Sequence, residues 1–337
     1  MSNIASNGLR RLLRAWQARI NRVSADDIKG LLGGDAIALL DVGASGGILP
    51  RWHPYRENIA FTGIEPDERS IPELLKSPDA REFRSYDIIP AAAWSRSGPL
   101  SISFTRKPMC SSHFTPNFPF LSRFPDAARF DVVGSTEIEC RTLDDLLASA
   151  GKQVDFIKLD LEGGELAVLE GAPKTLETCI GLHVEVCFQA LRKDQPLFGD
   201  IARFLHERGL EFMDFVSLIR WERDSFDVSG QAIFGDALFL RGPESLMDMA
   251  TGDFMTARRA RVYLAVLTIY ERYDLALKFI DLLKAQGRAL SADDMERFGS
   301  IVSRRRTRFR RRFRFASMLA RSFSRYAGQN YGFYHLY

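Results

Sequence analysis

The residues best suited to chemistry are three charged side chains at alternate positions, Lys158, Asp160 and Glu162. A carboxylate can accept a proton from a hydroxyl group or bind a divalent cation, and a nearby ammonium group favours its ionised form. If strand alternation continues through this stretch, the three side chains share one face. A structural ion-pair network that braces the following turn is the competing interpretation. The sequence offers no clear third metal ligand, so we predict no metal site.

These charges lie in a stretch, residues 154–172, that predicts a strand, a glycine turn and a helix in that order. Apolar residues typical of a buried strand surround Lys158, Gly163 and Gly164 provide the turn, and apolar residues at helical spacing follow. A strand that passes through a glycine turn into a helix is half of a βαβ unit. Ligands bind at the carboxyl ends of strands in open α/β sheets, so the stretch predicts a ligand site.

An earlier glycine turn, within residues 36–47, has the same organisation. A short apolar strand ends at Asp41, and the turn that follows contains Gly43, Ser45 and Gly47. Glycine permits positive φ and lets a ligand approach the backbone closely. The acid precedes the glycines and no GxGxxG pattern follows the strand, which argues against a dinucleotide site.

Two further positions could contact the same ligand. Glu65 ends the next predicted strand, and a carboxylate there can accept both hydrogen bonds of a ribose diol. A solvated strand-end acid is the alternative, but the preceding Asp41 turn favours ribose binding. Ala92, Ala93 and Trp94 could lie beside an adenine ring, although Trp94 is more typical of a core residue.

A long irregular segment, residues 106–135, follows the next predicted strands and is rich in Pro, Phe and Ser. Such a segment in a compact domain is often a binding loop or a lid. His113 within it could accept a proton, but a lone loop histidine more often has no catalytic role.

The composition is that of a soluble globular protein. The chain has 337 residues, with 46% hydrophobic and 26% charged, enough for one large α/β domain and a smaller appendage. The four cysteines form no CxxC pair, which favours a reduced, cytoplasmic protein. We find no signal peptide, and no apolar run approaches the ~20 residues that a transmembrane helix needs.

The net charge of +3 conceals an asymmetry between the two parts of the chain. Residues 251–337 contain 18 Lys/Arg and 7 Asp/Glu, whereas residues 1–250 contain 28 and 36. This shift predicts a boundary. We therefore predict an N-terminal amphipathic helical segment in residues 1–35, a main domain in residues 36–245 and a basic helical extension in residues 246–337.

Local signals predict where helices begin and which of them are basic. Ser24, Thr142 and Ser291, each followed by acidic residues, are typical N-caps. Residues 9–22 and 303–326 alternate arginines with apolar side chains, and the second segment contains ten arginines. Both could pack on the acidic body or dock on an anionic membrane surface. Nucleic-acid binding by the second segment is less favoured, because no recognised nucleic-acid module accompanies it.

The order of these pieces resembles FkbM-type methyltransferases, a class I S-adenosylmethionine-dependent family. The resemblance covers roughly residues 36–242, and Ser45 stands where the family often has asparagine. The matching segments are DVGASGG (41–47), FTGIEPD (61–67), RTLDDLL (141–147), FIKLDLEGGELAVLEGA (156–172), VEVCFQALRKDQPLF (184–198) and IFGDALFL (233–240).

The resemblance implies an α/β, Rossmann-like fold with a mostly parallel seven-stranded sheet flanked by helices, followed here by an α-helical C-terminal extension. It implies S-adenosylmethionine as cofactor and O-methylation of a hydroxyl on a sugar, glycan or glycolipid. The cofactor contacts that we then predict are Asp41, Gly43, Ser45, Gly47, Glu65 and Ala93. The residues that we predict for the transfer step are Asp160, Glu162 and Lys158.

Two other functions compete with this one. A catalytically silent protein could keep the fold and use its basic tail as a tether to an anionic membrane or a partner. The second competing function is that of an NAD-dependent sugar-modifying enzyme. Such an enzyme would have a GxxGxxG-type turn and a Tyr-x-x-x-Lys pair, and the sequence has neither. The leading interpretation predicts a cytoplasmic enzyme, and membrane docking of residues 303–326, if that alternative holds, would place it at the inner face of the membrane.

Overall fold

The computed structural model describes residues 23–224, 230–248, 256–287 and 290–323, and of residues 308–323 it describes the backbone alone. Ten strands lie in these ranges. They are β1 (Ile37–Val42), β2 (Ile59–Ile64), β3 (Ser85–Ile89), β4 (Ala92–Trp94), β5 (Gly98–Thr105), β6 (Val132–Thr142), β7 (Phe156–Leu159), β8 (Gly181–Cys187), β9 (Leu210–Trp221) and β10 (Gln231–Arg241).

Seven of these strands form the main sheet, in the order β3-β2-β1-β7-β8-β10-β9. The pairs from β3 to β8 are parallel, and β10 runs antiparallel to both of its neighbours. The central strands β1 and β7 consist almost wholly of buried residues, because helices cover both faces of the sheet. The predicted seven-stranded, mostly parallel sheet is confirmed.

Helices lie between the strands and after the last one. The described α-helices are α1 (Ala25–Leu32), α2 (Ile71–Lys76), α3 (Phe118–Leu121), α4 (Leu143–Ser149), α5 (Glu165–Glu170), α6 (Pro173–Thr178), α7 (Phe198–His206), α8 (Pro243–Asp248), α9 (Ala257–Ile269), α10 (Tyr273–Ala285) and α11 (Ala292–Phe323). In the part of the chain that the structure describes, none of them is long and apolar enough to span a bilayer.

The predicted N-caps are present. The hydroxyl oxygens of Ser24, Thr142 and Ser291 accept hydrogen bonds from backbone N–H groups three residues later, at 3.1, 3.2 and 3.1 Å. Each side chain thereby satisfies one N–H group that the first helical turn leaves unpaired. The predicted helix in residues 9–22 lies outside the described residues, as do the side chains of the basic segment beyond residue 307.

The helices after the sheet share a core with it. Apolar residues of α1 and α8–α11 pack with one face of the sheet in a single cluster that extends to Val302. Helices α4–α7 cover the other face. Arg258 of α9 forms a two-pronged ion pair with Asp155, at 2.7 and 3.0 Å, just before β7. The domain boundary at residue 246, which was predicted from composition, stays a prediction. In the structure, residues on both sides of residue 246 pack in the same apolar core.

A small second sheet lies beside the main one, in the order β4-β6-β5. The residues between β5 and β6, here called the insertion (residues 106–131), include α3 and correspond to most of the predicted binding loop. A bridge between Ser103 and Ser112 and the backbone bond from Arg106 N–H to the Asp131 carbonyl hold its two ends to the strands. The Ser112 hydroxyl donates a hydrogen bond to the Glu162 carbonyl, just after the end of β7, so the insertion lies at the carboxyl edge of the main sheet.

Candidate active site

The first glycine turn packs directly against the end of β7. Gly43 has a φ of 83°, and a Cβ atom there would lie 2.3 Å from the backbone carbonyl oxygen of Asp160. Gly47 has a φ of 71°, and a Cβ atom there would meet nothing within 4 Å. Gly43 is thus required by contact between two chain segments, whereas Gly47 borders open space that a ligand can enter.

Glu65 joins the ends of β1 and β2. Its buried carboxylate accepts hydrogen bonds from the backbone N–H groups of Ser45 and Asp67, both at 2.9 Å. Burial raises the pKa of Glu65 above its ordinary value, and these two hydrogen bonds oppose the rise. Each carboxylate oxygen retains a second lone pair, so the predicted contact with a ribose diol is chemically possible and stays a prediction.

Asp41 and Lys158 form a buried ion pair on adjacent strands. The Lys158 Nζ atom lies 3.0 Å from Asp41 Oδ1, 3.5 Å from Asp160 Oδ2 and 3.4 Å from the Gly43 carbonyl. Burial raises the pKa of Asp41 to about 7, against the attraction of Lys158. Burial also disfavours the Lys158 charge, but attraction to Asp41 and Asp160 outweighs it and raises the pKa of Lys158. The Asp41–Lys158 pair therefore holds the glycine turn, through the Gly43 carbonyl, and the Asp160 side chain in place.

Three acids converge beside this pair. One carboxylate oxygen each of Asp160, Glu162 and Glu185 lies within 4.8 Å of the other two. Strand alternation does not bring them together, because β7 ends at Leu159 and Glu162 adopts a left-handed φ of 55°. The turn places Glu162 beside Asp160, and parallel pairing of β7 with β8 places Glu185 at their level.

Glu185 is the member of this cluster that sequence reasoning missed. Burial raises the pKa of Glu185 well above its ordinary value, and the neighbouring acids add to the rise. Its sequence signal was an acid within an otherwise apolar strand. Three carboxylates are ligands that Mg²⁺ and Ca²⁺ use, so this set could hold a cation. The predicted absence of a metal stays a prediction.

Glu162 and Arg192 form a further ion pair that the sequence did not reveal. Arg192 Nη2 lies 2.5 Å from Glu162 Oε2, and the arginine side chain is 1% exposed. Burial raises the pKa of Glu162, and the Arg192 charge opposes that rise. The side chains of Asp160 and Glu162 keep 43% and 32% of their surface exposed, so a ligand can reach both.

A narrow cavity of about 100 Å³ opens beside the glycine turn. Gly43 and Ala93 both line it, so the structure brings these two predicted cofactor contacts together. The rings of Trp94 and His113 lie 5.1 Å apart in its wall, and most of the remaining lining is apolar. Such walls suit a planar aromatic ring. Trp94 lines this cavity and also packs against a small core cluster, so its preferred role as a core residue stays a prediction.

Glu165 at the start of α5 closes the second glycine turn. Its fully buried carboxylate accepts hydrogen bonds from the backbone N–H groups of Leu161 and Gly163, at 2.7 and 3.3 Å. Burial raises the pKa of Glu165 from 4.5 to about 7. Between pH 4.5 and about 7, the folded protein therefore binds the Glu165 proton more tightly than the unfolded chain does.

We expect Glu165→Gln to remove one component of the pH dependence of stability. Because the pKa is raised in the folded state, the contribution of Glu165 is complete below pH 4.5 and declines as the pH rises to about 7. The decline should amount to about 2–3 kcal/mol in the wild type and be absent from the variant. Urea unfolding at pH 4.5 and 7.5 measures it, and parallel pH profiles for the two proteins would contradict the assignment.

Comparison with known proteins finds one family model that matches part of the chain. Residues 51–212 match the family model described as the methyltransferase FkbM domain. None of the curated proteins compared with the chain matches it.

The chain is also similar, at low identity, to several solved structures, of which three are described here. The fibrillarin pre-rRNA processing protein of Methanococcus jannaschii is 14% identical, with a TM-score of 0.33 over 61% of this chain and 67% of that one. Precorrin-6y C5,15-methyltransferase of Geobacter metallireducens is 11% identical, with a TM-score of 0.32 over 64% and 86%. A TehB-like S-adenosylmethionine-dependent methyltransferase of Corynebacterium glutamicum is 12% identical, with a TM-score of 0.30 over 71% and 100%. We draw no conclusion about the substrate from them.

S-adenosylmethionine is the cofactor expected of this family. The residues at the carboxyl edge of the sheet fit it. Gly47 leaves open space beside the turn, Glu65 presents a carboxylate, and the cavity at Ala93 has apolar and aromatic walls. The matched residues include Glu65, Ala93, Asp160 and Glu162, which all contribute to this arrangement. Residues 51–212 therefore match a methyltransferase FkbM domain, and the residues at its sheet edge fit the cofactor expected of such a domain.

Proposed function

We propose that this protein transfers a methyl group from S-adenosylmethionine to a hydroxyl oxygen of a sugar, glycan or glycolipid. The observation that supports the proposal is the position of two solvent-accessible carboxylates, Asp160 and Glu162, directly beside the Gly43 turn. A cofactor held at that turn would have both carboxylates at its open side. A hydroxyl-rich acceptor offers donors that such carboxylates bind.

The cofactor supplies a methyl group on a positively charged sulfur. The protein has to align the acceptor oxygen with that methyl group, and alignment alone can contribute ~7–11 kcal/mol. As the new oxygen–carbon bond forms and the carbon–sulfur bond breaks, the hydroxyl proton passes to a carboxylate. Asp160 is suited to this role because its side chain is 43% exposed and its Oδ2 atom is held 3.5 Å from Lys158 Nζ. Glu162 would bind the acceptor or share the proton, and Lys158 acts through Asp160.

Transfer of labelled methyl from S-adenosylmethionine into a total glycan and lipid extract tests the proposal. We expect label in a base-stable ether of a carbohydrate-containing fraction. Label in nucleic acid or protein instead would contradict the proposed acceptor class. Cofactor binding by isothermal titration without transfer to any fraction would favour the catalytically silent alternative.

We also propose that the basic segment of α11 associates with an anionic membrane surface in the cytoplasm. Its first arginines have partners in the chain itself, since Arg304 pairs with Asp27 and Arg305 with Glu271. We assign the binding of lipid headgroups to the arginines after residue 307, because clustered arginine and phenylalanine residues suit the lipid interface.

Flotation with vesicles tests this second proposal. The full chain should float with vesicles containing phosphatidylserine and remain at the bottom with phosphatidylcholine alone. Removal of residues 308–337, which leaves both described ion pairs intact, should abolish flotation. Equal flotation of the shortened chain would contradict the proposal, and binding of the full chain to RNA but not to vesicles would favour a nucleic-acid partner.

A further inference from the structure

Arg192 lies in the loop between β8 and α7 and is almost fully buried. Its Nη2 atom donates hydrogen bonds to Glu162 Oε2 at 2.5 Å and to the Cys110 carbonyl at 3.1 Å. Its backbone N–H group donates to Gln195 Oε1 at 3.1 Å. The side chain therefore touches both the second glycine turn and the insertion.

The burial of this arginine calls for an explanation. A guanidinium remains charged at any physiological pH, and its removal from water is costly unless a carboxylate compensates it. Among the described residues, Glu162 is the carboxylate within ion-pair distance of Arg192. Buried ion pairs are a weak source of stability compared with apolar packing of the same volume. A role in holding the Glu162 carboxylate in place therefore accounts for this buried ion pair better than a contribution to stability does.

Glu162 is fixed at its backbone as well as at its carboxylate. It adopts a left-handed φ of 55°, which is unfavourable for a residue with a Cβ atom, and its carbonyl accepts a hydrogen bond from Ser112 Oγ at 2.8 Å. Ser112 belongs to the insertion and is 5% exposed. Two segments that are distant in sequence thus converge on one acidic residue.

These two segments are also joined to each other. Asn117 N–H donates to the Leu191 carbonyl, Asn117 Nδ2 to the Ala190 carbonyl, and Lys193 N–H to the Thr115 carbonyl, all at 2.8–2.9 Å. The insertion and the loop that carries Arg192 therefore form one hydrogen-bonded unit around Glu162.

We propose that Arg192 is a positioning residue for the methyl-transfer step. By holding Oε2 of Glu162, it keeps the carboxylate beside Asp160 and Glu185, where an acceptor hydroxyl would bind. This inference rests on the proposed function, because it assigns Glu162 a role in that reaction. Because the Arg192 side chain is 1% exposed, it acts on the acceptor through Glu162.

A double-mutant cycle between Arg192→Gln and Glu162→Gln tests the inference. Arg192→Gln should lower the transfer rate ~100-fold, since small displacements of a reacting group have effects of that size. Combining it with Glu162→Gln should cause no further loss, because Arg192 acts only through Glu162. Arg192→Lys should recover part of the rate, since it keeps the charge but not the guanidinium geometry. The rate is measured with labelled S-adenosylmethionine and the glycan and lipid extract, and cofactor affinity by isothermal titration should stay unchanged.

Arg241 provides the matched control. It is also buried, but it donates to the backbone carbonyls of Leu176, Cys179 and Arg208 at the opposite edge of the sheet. Arg241→Gln should lower the melting temperature and leave the transfer rate of the folded protein unchanged. If Arg192→Gln does not fold, the same cycle is run with Arg192→Lys.

Three outcomes separate this inference from the proposed function. Wild-type protein that transfers no methyl group to the extract would contradict the proposed function. Wild-type transfer with an unchanged rate in Arg192→Gln would contradict the positioning role alone. Losses that multiply in the double variant would also contradict it, because they would show that Arg192 acts independently of Glu162.

Discussion

Replacement of Asp160 by asparagine is expected to lower the methyl-transfer rate ~10²–10⁴-fold, the usual contribution of a positioned general base. Asparagine keeps the shape and a hydrogen-bonding oxygen but cannot accept the hydroxyl proton. The fold should persist, since the Asp160 side chain is 43% exposed and its main structural contact is made by its backbone against Gly43. Single-turnover transfer from labelled S-adenosylmethionine measures the rate, and isothermal titration measures the cofactor affinity, which should be retained.

The control for this experiment is Asp248→Asn. Asp248 is an exposed acid at the end of α8, on the opposite edge of the sheet, and its replacement should leave transfer unchanged. An Asp160→Asn protein with full turnover and intact cofactor binding would remove Asp160 from the proton-transfer step. If Glu162→Gln alone then abolished transfer, the general base would be Glu162.

Replacement of Gly43 by alanine is expected to weaken S-adenosylmethionine binding by up to ~30–4000-fold. Alanine is strained at a φ of 83°, and its Cβ atom would approach the Asp160 carbonyl oxygen to 2.3 Å. That oxygen belongs to the backbone, so relief requires the two turns to separate. Overpacking of this kind costs ~1–3 kcal/mol, to which the strain of the positive φ adds ~1–2 kcal/mol. Isothermal titration with the cofactor measures the loss.

Gly151→Ala separates the strain from the clash. Gly151 also has a positive φ, 61°, but a Cβ atom there meets nothing within 4 Å, and the residue lies after α4, away from the carboxylate cluster. This variant should lose some thermal stability and keep its cofactor affinity. Equal loss of affinity in both variants would show that the effect of Gly43→Ala is general destabilisation.

The sheet and the glycine turns were predictable because their signals are local. Buried apolar runs predicted β1, β2, β7 and β8, and the glycines at 43, 47, 163 and 164 predicted the turns. Serine or threonine followed by acids predicted the N-caps, since a side chain three residues away satisfies the first N–H groups. The motifs that resemble the FkbM family add the cofactor, which local patterns alone do not identify.

The residues that sequence reasoning missed are those that act through long-range contacts. Arg192 reaches Glu162 across 30 positions of sequence, and no local pattern marks an arginine in a loop as buried. Glu185 joins Asp160 through the register between β7 and β8, which the sequence does not specify. Alternation failed for Glu162 because the strand ends at Leu159 and a left-handed turn follows. The pairing of Lys158 with Asp41 likewise depends on strand neighbours that are 117 residues apart.

The shared core of the sheet and the C-terminal helices has a consequence for synthesis of the chain. The last strand ends at Arg241, but the apolar residues that cover one sheet face extend to Val302. Ribosomes add ~5–20 residues per second, so this face waits on the order of 3–12 s for its cover after the last strand has been made. Strands exposed for that time are prone to aggregation, so a chaperone should bind nascent chains between these two points. Ribosome profiling of chaperone-bound nascent chains should show chaperone binding between these two points of synthesis. The binding should end once α11 has emerged.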